Sequence, residues 1–180
     1  MSVFDDFKRT AEFDSETKIK ISKVLPAELS EILCRYGCGS FLQGYLRLFH
    51  PFEYQEVIKD TYFDAEHSIP FMLTVFGDII VYKEDGYIGM IQYQKHDSAI
   101  IGKKTSLFIR LLEEASFRKK YFDIDLYQEA VQKFGELKEE ECFGFVPLLA
   151  LGGKENVEHL QKVNVKVQIE LITKFIGKIE

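Results

Sequence analysis

The chain has 180 residues, 46% of them hydrophobic, with 16 Phe and 9 Tyr but no Trp, and a net charge of −6. That length and aromatic content suffice to bury a core in one domain or two tightly joined subdomains, which excludes a disordered chain. The first ninety residues hold 9 Lys/Arg against 15 Asp/Glu and the rest are balanced, an asymmetry that disfavours direct nucleic-acid binding and suits a basic protein partner.

The opening MSVFDDFKRTAEF lacks the basic-then-apolar pattern of a signal peptide, and no stretch approaches the ~20 apolar residues of a bilayer span. The expected location is therefore cytoplasmic, with no membrane partner. Residues 1–18 are polar apart from Phe4, Phe7 and Phe13, which are placed to pin the segment to the body. Residues 24–37 read as a helix that Pro26 opens and Gly37 stops, with Leu25, Leu29, Ile32, Leu33 and Tyr36 on one face. Residues 40–49 read as a strand, and Pro51 opens a short helix after it.

Three runs rich in β-branched and aromatic residues follow, at 71–76, 78–84 and 87–94. Gly77 separates the first two and Asp85-Gly86 the last two, which predicts an antiparallel meander, with 98–102 as a further strand. Thr105 or Ser106 is placed to cap a helix over 106–116, and Asp123 or Asp125 one that ends at Gly135. Residues 136–141 read as a charged loop, 142–150 as a buried strand, 154–162 as a short helix and 165–176 as a final helix. The fold class is α+β: a central antiparallel sheet of about four to six strands, an N-terminal helix and a helical C-terminal third on one face. The C-terminal part is expected to share its core with the rest of the chain.

The pattern of an enzyme is missing. No GxSxG, HExxH, Walker A or GxGxxG motif occurs, and the four His have no partner spacing, so no catalytic residue and no cofactor is expected. Three cysteines, Cys34, Cys38 and Cys142, make a disulfide framework improbable, and Cys34 and Cys38 lack the second pair that a zinc site needs. Gly152-Gly153, between a strand and the next element, leaves open a turn with N–H groups free for an anion, against a simple tight connection. The clearest binding signal is acidic. Asp60, Asp64 and Glu66 precede the meander, Asp78, Glu84 and Asp85 sit at strand ends, and Tyr54, Tyr62, Phe63, Tyr82 and Tyr87 lie nearby, a composition suited to a protein interface. A solvated surface with its aromatics in the core is the plain alternative for each residue.

Two stretches carry a resemblance. Leu25, Pro26, Tyr36, Gly37, Gly39, Ser40, Phe41, Gly44, Tyr45 and Pro51 resemble the opening of GAD-like domains. Gly144, Phe145, Pro147, Ala150 to Gly153, Leu160, Lys162, Val163 and Gly177 are similar to the C-terminal domain of the Tdi-type immunity proteins. Residue 48 departs from the many members with an aromatic near this strand. The resemblance implies a GAD-like part over 1–100 and an immunity part over 101–180. It further implies a cytoplasmic antitoxin that binds a cognate toxin from a contact-dependent (type VI) secretion system, often a nuclease, and occludes its active site. A regulatory protein-binding domain and a small-ligand binder at the Gly152-Gly153 turn are the other two function classes. The acidic residues Asp60, Asp64, Glu66, Asp78, Glu84 and Asp85 are the expected contacts for a basic toxin.

Overall fold

The computed structural model describes residues 2–180. Seven strands form one sheet in strict chain order: β1 (Lys8–Ala11), β2 (Cys38–Phe41), β3 (Leu46–Leu48), β4 (Ser68–Thr74), β5 (Ile79–Lys83), β6 (Tyr87–Gln92) and β7 (Asp97–Lys103). Every neighbouring pair is antiparallel. A second, two-stranded sheet pairs β8 (Glu141–Phe145) with β9 (Leu160–Asn164). The helices are α1 (Ser15–Val24), α2 (Ala27–Tyr36), α3 (Pro51–Thr61), α4 (Thr105–Leu111), α5 (Ala115–Tyr121), α6 (Ile124–Phe134) and α7 (Val165–Ile176). The α+β class therefore stands, with a larger sheet than expected.

The meander alternates as period-2 strands must. Leu48, Met72, Ile80, Ile88 and Met90 point to one core, with Leu29 and Leu33 of α2, Phe108 of α4, Phe117 of α5 and Ala130 of α6. Leu73, Ile79, Val81 and Ile91 point to the other, with Ile58 of α3 and Ile169 and Ile172 of α7. Helices thus lie on both faces, and the C-terminal third is divided between them instead of covering one. The first core draws on residues from Val3 to Leu160, so both parts of the chain contribute to it.

α2 forms as its apolar spacing dictates: Pro26 stands at the N-cap, and Gly37 ends the helix at φ 71°. A side chain there would meet the Ala11 carbonyl at 2.2 Å, so only glycine serves. Several segments differ from expectation, among them 142–150, whose strand stops at Phe145 and gives way to a 3-10 turn over Leu149–Leu151. Residues 40–49 are a hairpin and not one strand, because Leu42, Gln43 and Gly44 turn the chain at positive φ and the Asp6 carboxylate accepts the N–H groups of Leu42 and Gln43. Residues 8–11 and 15–24, which carry little apolar pattern, form β1 and α1, the helix capped by Asp14 accepting from the Thr17 N–H at 2.7 Å. The helix expected to run to 116 stops at Leu111, and α5 starts separately at Ala115. Residues 154–162 are not an α-helix: a single 3-10 turn (Val157–His159) leads into β9, which the ladder with β8 holds extended.

Candidate partner-binding surface

The acidic residues gather through the β4–β5 ladder. Ser68 pairs with Lys83, and the Glu84 N–H donates to the His67 carbonyl at 3.1 Å, which sets Glu66 and His67 beside Glu84. Gln55 of α3 fixes the segment before β4 by donating to the carbonyls of Ala65 and Ser68, at 3.3 and 3.1 Å. Around this junction opens a groove of about 520 Å³ lined by Val24, Pro26, Phe52, Ile69 and Tyr82, with Glu66 and Glu84 among its polar residues. Val24 is 43% exposed, so the α1–α2 corner presents an apolar edge. The Ser68 hydroxyl, also in this lining, is buried with no hydrogen-bond partner among the described residues. The groove therefore combines apolar floor, negative rim and an unused polar group, the elements of a protein-binding pocket.

The individual acids differ in freedom. Glu66, Glu84 and Asp85 are exposed, and Asp85 accepts from the Tyr87 N–H at the hairpin tip. Asp64 is half-buried and already engaged: it pairs with Lys83 and accepts from His67 at 3.0 Å. The hydrogen bond from Lys83, aided by that from His67, holds its carboxyl below the usual range. Asp60 lies on the last turn of α3 and is absent from the groove lining.

Asp78 is not at an exposed hairpin tip as expected. It is 7% exposed, and its carboxylate accepts from the Thr74 hydroxyl at 3.2 Å. Burial pushes its pKa up to about 7, against the Thr74 hydrogen bond. The reason is the turn itself, where the Gly77 region folds back under β8: the Phe143 N–H donates to Val75 at 2.7 Å, and Cys142 Sγ sits 3.2 Å from where a Gly77 side chain would begin. Of the expected aromatics, Tyr54 and Tyr62 are core residues, Tyr82 lines the groove and Phe63 is 66% exposed.

Residue typing alone missed Val24, Pro26, Phe52, Gln55 and Ile69. They come from four separate elements or junctions, and only the apolar Val24 at a helix end carried a signal.

A larger groove, about 850 Å³, lies over β1–β3, the part of the sheet's second face that α3 and α7 leave uncovered. Lys8, Ser40 and Arg47 follow one another across the ladder as its floor. Arg47 donates to the carbonyls of Lys138, Glu139 and Glu141, at 3.2, 2.7 and 2.7 Å, and so ties the charged loop before β8 to the N-terminal sheet. Desolvation pulls its guanidinium below the ordinary value. Lys8, Lys138 and Lys166 stand among Asp6, Glu53, Glu136, Glu139 and Glu140, so this lining has no dominant sign.

The Gly152-Gly153 turn offers no free donors. Gly152 N–H bonds to Leu149 and Gly153 N–H to Leu148, at 3.1 and 3.0 Å, and the Pro147 carbonyl fills the space beside Gly153. It is the tight connection. Among the described residues no three or more His, Cys, Asp or Glu side chains gather as for a metal ion, and no helix is long and apolar enough to cross a membrane.

Comparison with known proteins bears on the C-terminal part. Residues 102–176 match the family described as T6SS immunity protein Tdi1, C-terminal. The crystal structure of Atu4351 from Agrobacterium tumefaciens is similar over 95% of this chain and 86% of that one, with a TM-score of 0.77 at 15% identity, a likeness of fold alone. No curated protein matches the sequence.

Proposed function

From the Tdi1-type immunity domain that this chain carries over residues 102–176, we propose that the protein is an antitoxin: it binds a cognate toxin of a type VI secretion system and neutralises it by occlusion. The family match carries this reading and supports an immunity function. The toxin itself we read as a nuclease, because a nuclease presents a basic cleft to its substrate and this chain's acidic excess lies wholly in its first half. Residues 1–100, as the GAD-like part, supply the contact surface. The groove rimmed by Glu66 and Glu84 is the docking site, with Asp85 and Asp64 beside it.

The mechanism needs no reaction from this chain and no cofactor. Negative charge at the rim steers a basic toxin to the groove and raises the capture rate, and the apolar floor of Phe52, Ile69 and Tyr82 slows its release. Substrate is excluded once the toxin's cleft faces this rim. Action in the cytoplasm follows, since the toxin's substrate is there.

Co-expression tests the reading. The tagged chain and the product of the adjacent open reading frame are expressed together and separately. A stable complex is expected, with toxicity from the neighbour alone and survival when both are present. A neighbour that is harmless alone and does not co-purify would remove the immunity assignment.

A further inference from the structure

α7 has two apolar faces, and only one is used. Val165, Ile169 and Ile172 are buried against the second core, as an amphipathic helix requires. On the outer side Val167, Leu171 and Phe175 are 53%, 42% and 64% exposed. These positions are four apart, so they form one row along the helix about 12 Å long. No charged residue interrupts the row. Glu170 and Lys174 run along one flank and pair with each other at 2.6 Å. The other nearby cations are already engaged: Lys166 pairs with Glu53 at 2.7 Å, and Lys178 donates to the Lys59 carbonyl at 3.0 Å.

We propose that this row is a self-association surface, on which a second copy of the chain lays its own α7 antiparallel about a two-fold axis near Leu171. In that arrangement the smallest side chain of the row, Val167, meets the largest, the partner's Phe175, and the reverse holds on the other side of the axis. The volumes match along the whole contact. Lys174 comes beside Glu170 of the partner subunit, and Glu170 beside the partner's Lys174, so each charge of the flank finds its opposite twice. Such isologous pairing is the usual way for a surface to be complementary to itself. The inference does not depend on the toxin-binding reading, which uses a different surface.

One helix per copy makes a small interface, so dissociation in the range of about 1–100 µM is expected. Sedimentation equilibrium of the full chain alone tests it. The mass is expected to rise with concentration from 20.9 kDa towards twice that value. Leu171→Asp should hold the protein monomeric with an unchanged circular dichroism spectrum. Lys174→Glu should weaken the dimer about tenfold, through repulsion on both sides of the axis. Adding Glu170→Lys to that variant should restore it. A constant 20.9 kDa across the range, a dimer that survives Leu171→Asp, or a charge swap that fails to restore association would each overturn the proposal. So would a Leu171→Asp variant that sediments as the wild type does yet no longer binds the toxin, which would give the row to the toxin instead.

Discussion

Asp78 is a carboxylate placed where a neutral group belongs. Its value of about 7 when folded lies above the ordinary 3.8 because burial penalises the charged form. Between these two values the folded protein holds a proton that the unfolded chain releases, so stability falls as pH rises through that window and the full deficit persists above it. The effect is on the order of 4 kcal/mol. Asp78→Asn keeps an acceptor for Thr74 and removes the charge, so it should raise stability at pH 8 and leave it nearly unchanged near pH 4. Urea melts at the two pH values read this directly, and an equal response at both would contradict the assignment. Gly153 is a second residue with little freedom. A Cβ there would lie 2.1 Å from the Pro147 carbonyl, so Gly153→Ala should cost about 2–3 kcal/mol in a urea melt. A cost under about 0.5 kcal/mol would show that this turn yields easily.

Among the elements, the join between the two sheets depends on Gln94. Its amide donates to the carbonyls of Phe76 and Phe143 at 2.7 and 2.8 Å and accepts from the Phe145 N–H at 2.7 Å, all in buried surroundings. Gln94→Leu strands these groups and should destabilise the protein by about 3 kcal/mol. Faster hydrogen exchange should appear at Phe143 and Phe145 before the rest of the meander, and uniform exchange would contradict the clamp. The elements that the sequence announced are those stabilised by near neighbours. The meander over 68–92 was legible from its runs of β-branched and aromatic residues and from Gly77 and Asp85-Gly86, and α2 from Pro26, its apolar spacing and Gly37. β1, whose four residues are all exposed, exists because β2 offers an edge, and β9 because β8 does. α1 buries only Ile21 and is set by the Asp14 cap. The Leu42-Gln43 turn depends on Asp6, far behind it in the chain. Partners distant in sequence decide each of these, and local pattern does not contain them.

For the whole molecule the same limit applies to the candidate site. Glu66, Glu84 and Asp85 were legible as acids near strand ends, but the apolar floor beneath them joins residues from Val24 to Tyr82 and needs the fold to assemble it. Asp78 was misread because a turn residue is usually exposed, and here the second sheet covers the turn. The net charge lies in the first half of the chain, and the match to the Tdi1-type C-terminal family lies in residues 102–176. We propose that toxin is captured at the acid-rimmed groove. The most direct test is calorimetric titration of the purified toxin with wild type and with Glu66→Lys/Glu84→Lys at low and high salt. A loss of affinity of about a hundredfold at low salt and a flatter salt dependence are expected for the variant. Equal affinity and equal salt dependence for the two proteins would contradict it and move the toxin to another face.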